Sequence, residues 1–132
     1  MAFGLAATAL INPAMAAKTK KGTFTAEGIP FPEQTEGCNN APVPSQTLVP
    51  FKAPSNGILE VTMIEFDGDW DLFVNDSEGS ELGSSIASQL TGDPVEEQVV
   101  VGVGKGDEVL MGPCNSLGGP SATVNWVFTY SK

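Results

Sequence analysis

From residue 46 to the end, the chain repeatedly alternates apolar and polar residues in short runs bounded by Gly, Pro, Asn and Asp. A period of two puts successive side chains on opposite faces of an extended backbone, which is the pattern of half-buried β-strands. Residues 58–66 (ILEVTMIEF) place Leu59, Val61 and Met63 on one face, and residues 70–75 (WDLFVN) place Trp70, Leu72 and Val74 inward with Phe73 outward. Residues 96–103 keep Val99, Val101 and Val103 in phase, residues 108–112 follow a Gly-Lys-Gly-Asp turn, and residues 122–130 carry Val124, Trp126, Phe128 and Tyr130 on one side. Upstream, residues 22–27 read as a first strand with Phe24 on its apolar face. Residues 46–53 read as an edge or bulged strand, because Pro50 lacks the N–H that a central ladder needs. Residues 28–44 and 113–121 read as loops. Residues 80–94, with Leu82, Ile86 and Leu90 four apart among serines, suit either one short helix or a covering loop. The expectation is all-β: an antiparallel, jelly-roll-like β-sandwich of about seven or eight strands.

The first seventeen residues differ from the rest. They are uncharged, rich in small apolar residues, and end in Ala14-Met15-Ala16, an A-x-A pattern suited to signal peptidase. The reading is a signal peptide over residues 1–16 whose basic start lies further upstream. Alternatives are a buried N-terminal helix, which Asn12-Pro13 opposes, and a retained membrane or filament anchor. The expected organisation is a leader (1–16), an N-terminal strand with a Pro-rich loop (17–45) and a sandwich core (46–132), with 17–132 forming a single domain. The implied location is secreted or cell-surface.

Charge narrows the partners. The 132 residues hold 16 acids against 6 Lys, with no Arg and no His, for a net charge of −10. Three lysines (Lys18, Lys20, Lys21) crowd the start of the expected mature chain, as a tail either folded back or mobile. Three lysines then face all sixteen acids from Gly22 onward. Such a chain is a poor ligand for nucleic acid, which requires cations to displace counterions. It is also repelled by anionic lipid, so no membrane partner is expected once the leader is removed. A monomer is expected rather than an oligomer. The absence of His excludes Ser-His-Asp and Cys-His catalysis and His-ligated zinc.

Two cysteines, Cys38 and Cys114, in an exported chain suggest one disulfide. Closing so long a loop is worth roughly 4 kcal/mol in the chain-entropy picture. The alternative is two unpaired buried thiols. Glu65, Asp67, Asp69 and Asp71 occupy alternate positions within seven residues. Hard oxygen ligands at that density suit Ca²⁺, expected at Asp67, Asp69 and Asp71 with Glu65 in reach; a solvated acidic turn is the alternative. A carboxylate-based hydrolase is a third, weaker reading, since such pairs arise readily in an acid-rich chain. Phe73 and Val127 are candidates for outward-facing apolar residues. Asn75-Asp76-Ser77 matches an N-glycosylation sequon.

The run Gly68-Asp69-Trp70-Asp71-Leu72-Phe73-Val74 resembles the GDxDLYV signature of bacterial pre-peptidase C-terminal domains. Residues 57–63 resemble that family's G-x-L-x-V-x-M segment, residues 76–79 its D-x-x-G turn, residues 96–111 its hairpin and residues 124–130 its last strand. The resemblance covers about residues 46–132. It implies a compact jelly-roll-like sandwich of the kind appended to exported hydrolases, some relatives binding calcium or extracellular polymers. Together these readings predict a non-catalytic accessory or binding module for an extracellular polymer or protein partner. The alternative is a structural subunit of a surface layer or fibre.

Overall fold

The computed structural model describes residues 17–28, 46–85 and 96–131. Eight strands occur among them: β1 (Lys18–Glu27), β2 (Val49–Lys52), β3 (Gly57–Ile64), β4 (Gly68–Asp76), β5 (Glu81–Ser85), β6 (Glu97–Val103), β7 (Glu108–Gly118) and β8 (Ser121–Tyr130). They form two four-stranded sheets, ordered β1-β8-β3-β6 and β2-β7-β4-β5, in which every pairing is antiparallel. The architecture is the expected all-β sandwich.

The alternation seen along the chain decides which face is inside. Leu59, Val61 and Met63 of β3, Trp70, Leu72 and Val74 of β4, Val99, Val101 and Val103 of β6, and Val124 and Phe128 of β8 all lie in one buried cluster. Burying each such side chain contributes about 1.5–3 kcal/mol, which makes this shared core the main source of stability. Phe51 of β2 reaches across from the second sheet, with ring centroids 5.0 Å from both Trp126 and Phe128. Pro50 sits on an edge strand, as its missing N–H requires.

Three local readings are corrected. The basic segment is not a linker but lies against the body as part of a strand: β1 begins at Lys18 and pairs with β8 along its whole length, from Lys18↔Tyr130 to Glu27↔Ser121. Gly22 permits this, because a Cβ there would meet the Trp126 indole at 2.7 Å. Residues 113–118 are strand rather than loop. β7 tolerates Pro113 and continues to Gly118 beside β4, with a register shift opposite Asp69/Trp70. Residues 81–85 form the strand β5 in place of the helix or loop expected over 80–94. The leader, the Pro-rich loop, Cys38 and the remainder of the 80–94 reading fall outside the described residues. Among the described residues no helix is long and apolar enough to cross a membrane.

Tight turns at one end of the sandwich are held by their own side chains. Asp76 Oδ1 accepts the N–H groups of Glu78 and Ser80, both at 2.9 Å, and Gly79 supplies the left-handed residue at φ 93°. In the β6–β7 hairpin, Asp107 Oδ2 accepts the N–H of Gly104 at 3.2 Å, and Gly106 takes φ 85°. Asn56 Oδ1 accepts the N–H of Lys105 at 2.7 Å, tying that hairpin to the β2–β3 turn.

Candidate functional sites

Two acidic regions lie toward opposite ends of β4. The first follows from strand alternation: with Trp70 and Leu72 inward, Asp69 and Asp71 share the other face of β4, partly buried. Ser116 of β7 donates its hydroxyl to Asp71 Oδ2 at 2.9 Å. Burial, reinforced by the charges of Asp69 and Glu97, pushes the Asp71 carboxyl up to about 6 despite that hydrogen bond. Burial also raises Asp69, whose Oδ1 is enclosed with no hydrogen-bond partner among the described residues.

The other two members of the predicted calcium set do other things. Glu65 stands in a left-handed turn at φ 57° and accepts the Thr123 hydroxyl at 2.9 Å. Asp67 precedes β4, and its carbonyl accepts the N–H of Gly119 at 2.9 Å. No three His, Cys, Asp or Glu side chains gather as a metal-holding group among the described residues. Of the predicted four, only Asp69 and Asp71 are brought together on one strand face.

A carboxylate that the sequence reading passed over lies nearby. Glu97 is completely buried on the inward face of β6 and accepts the Ser85 hydroxyl from β5. Its signal was visible, since it stands in phase with Val99, Val101 and Val103. Cys114 is also fully buried, on β7 across an isolated bridge from Gln46. Asn75 is only 1% exposed, so the sequon at 75–77 cannot receive a glycan in the folded protein. Phe73 and Val127 are both partly buried and form no open apolar patch.

The second region is a cleft of about 580 Å³ between the β4–β5 turn and the β6–β7 hairpin. Asp76, Glu78, Asp107 and Glu108 line it together with Lys52 and Leu82. Asp76 and Asp107 each commit an oxygen to turn hydrogen bonds. Among the described residues no hydrogen bond or ion pair engages the carboxylates of Glu78 and Glu108, which are exposed beside Leu82, itself 44% exposed. Lys52 stands opposite Glu108 in the β2–β7 register. The cleft therefore combines negative charge with an apolar wall. It assembles from turns that are remote in sequence, and for that reason the linear reading of one acidic run did not find it.

No protein-family model and no curated protein sequence matches this chain. Among solved structures, the chain is similar to PliG of Aeromonas hydrophila, a periplasmic inhibitor of g-type lysozyme. The identity is 9%, 91% of each chain is covered and the TM-score is 0.48. It is also similar to the K1 cleaved adhesin domain of Lys-gingipain from Porphyromonas gingivalis W83. There the identity is 10%, with 89% of this chain and 99% of that one covered, and the TM-score is 0.45. At these values neither likeness carries an argument about function.

Proposed function

We propose that this chain is a non-catalytic binding module of an exported or surface-displayed protein, with the acidic cleft as its recognition surface. The observation that carries this reading is that one cleft brings together Glu78 and Glu108, two carboxylates without a partner among the described residues, and the exposed Leu82. A Lys or Arg side chain from a protein partner suits such a wall: its charged head meets the carboxylates and its aliphatic stem covers Leu82. The leader-like segment and the resemblance to pre-peptidase C-terminal domains support export. A Cys38–Cys114 disulfide belongs to the same proposal.

The absence of His supports the non-catalytic part, since it excludes Ser-His-Asp and Cys-His catalysis. Asp71, the acid pushed up to about 6, projects from β4 five residues before Asp76, roughly 16 Å of extended strand away from the cleft, so the raised carboxyl is not part of the recognition surface.

Calorimetric titration with a short peptide alternating Lys and Leu tests the reading. The native chain should bind it, with affinity falling as salt screens the charges, and Glu78→Gln with Glu108→Gln should weaken binding at least about tenfold, or about 1.4 kcal/mol. Equal affinity for both proteins would refute the cleft as the recognition surface.

A second reading, calcium held by Asp69 and Asp71, is favoured by the orphaned Oδ1 of Asp69. Two carboxylates supply fewer oxygens than the six to eight that Ca²⁺ takes, so water or other groups would complete the shell. Melting in EDTA and in millimolar Ca²⁺, with Mg²⁺ as control, decides it. A calcium-specific rise that Asp69→Ala abolishes supports the site, and identical curves refute it.

A further inference from the structure

The two sheets present four edges, and three of them carry a device against pairing with another chain. β1 places Lys18, Lys20 and Lys21 along one half and Glu27 at the other end. β2 has four residues, one of them Pro50. β5 has five and opens with Glu81. Charges, proline and shortness are the usual means by which natural sheets prevent edge-to-edge association. β6 is the exception. It has seven residues, no proline and no charge from Gln98 to Gly104, and among the described residues it is hydrogen-bonded on one side only, to β3. The outward face beside that edge is also apolar: Val100 is 55% exposed and Ile58, opposite Gly102 on β3, is 47% exposed.

We propose that the edge of β6 left unpaired among the described residues is a self-association edge, occupied by β6 of a second copy of this chain in antiparallel pairing about a two-fold axis. Antiparallel neighbours must keep facing side chains on the same side of the sheet, and centring the axis on Val100 satisfies this. Val100 then faces its counterpart, and Val99 faces the partner's Val101 on the inner side. Gln98 faces the partner's Gly102, where a Cβ would meet nothing within 4 Å, so the longer side chain has room. The same register sets the exposed Glu96 opposite the partner's Gly104, next to Lys105 in the partner's hairpin turn, so opposite charges come near each other at both ends of the contact. An isologous contact of this kind closes as a dimer and does not propagate into a fibre. The two sheets of type β1-β8-β3-β6 become one eight-stranded sheet. The net charge of −10 predicts a monomer, but none of that charge lies on β6 between residues 98 and 104.

A single short strand pair buries little area, so the association is weak and concentration-dependent. Sedimentation of the full chain from roughly 10 µM to roughly 1 mM, a range that brackets weak affinities, should show the mass rising from monomer to dimer. Val100→Lys installs the guard that β1 already has. Because Val100 is exposed, melting should be unchanged while association weakens at least about tenfold. Gln98→Lys is the second variant and should behave alike. Hydrogen exchange on the native chain should show protection of β6 amides increasing with concentration. A native chain that stays monomeric throughout overturns the proposal, as does a Val100→Lys variant that folds and associates as strongly as the native chain. Protection of β6 by an added Val-rich peptide in a chain that never dimerises also overturns it, since the occupant would then be an extended segment of another protein.

Discussion

Replacing Asp71 by Asn should stabilise this protein at pH 8 and leave it nearly unchanged at pH 4. Burial, with the charges of Asp69 and Glu97 added, raises the Asp71 carboxyl from 3.8 to about 6 against the lowering influence of the Ser116 hydrogen bond. In the unfolded chain the same carboxyl ionises near 3.9. Between those values the folded protein holds a proton that the unfolded chain has released. The stability this contributes is complete below the lower value and is lost as pH rises through about 6. If all of the displacement became stability, it would amount to about 3 kcal/mol at about 1.4 kcal/mol per tenfold step. Asp71 is only partly buried, so solvent screens much of that, and about 1 kcal/mol is the expected cost of the charged form at pH 8. Asn keeps an acceptor for the Ser116 hydroxyl and carries no charge. Urea unfolding from about pH 4 to about pH 8, in EDTA and followed by tryptophan fluorescence, should therefore show the native protein losing stability relative to the variant as pH rises. The gap should open between about pH 4 and about pH 6 and then level. A variant less stable at pH 8 would show that the charge on Asp71 is worth more to Ser116 than burial takes away. Parallel curves would refute burial as the controlling cause.

Phe128→Ala should cost about 3–5 kcal/mol, because Phe128 is fully buried and packs against both Phe51 and Tyr130. Trp126→Ala should cost less, since the indole is only partly buried; equal losses in chemical denaturation would contradict this ordering. Gly118→Ala should be among the most damaging small substitutions, because its Cβ would press on the Asp67 carbonyl and the Trp70 ring. A melting point within a degree or two of the native one would show that this corner yields easily. Cys114→Ser should lower stability by a few kcal/mol under oxidising conditions, and native melting curves that coincide with and without reductant would sink the Cys38–Cys114 bond.

Much of the sandwich was legible because one face of each central strand is buried. A one-residue slip would have turned Leu59, Val61 and Met63, or Trp70, Leu72 and Val74, to the wrong side. Where pairing partners decided the outcome, local pattern failed. The lysines of β1 show no apolar alternation, and β8 recruits them by pairing along ten residues. Pro113 reads as a strand breaker, yet β7 continues past it because β4 runs alongside. β5 is short and serine-rich, and its place is set by β4 and by the fit of Gly83 against Val99. The acidic run from Glu65 to Asp71 was legible as a cluster of charges. Its division was not: the left-handed residue at Glu65 and the start of β4 at Gly68 send alternate carboxylates to different neighbours. The cleft drew on turns some thirty residues apart, so no local window contained it.

The most direct test of the cleft as a recognition surface is a site-resolved NMR titration of the chain with the Lys-Leu peptide, repeated on the Glu78→Gln, Glu108→Gln variant. The account predicts shifts concentrated at residues 76–82 and 102–109, which form the cleft walls, with saturation in the native chain and loss in the variant. Shifts centred on Asp69 and Asp71, or spread evenly over the acidic surface and indifferent to the substitutions, would contradict it.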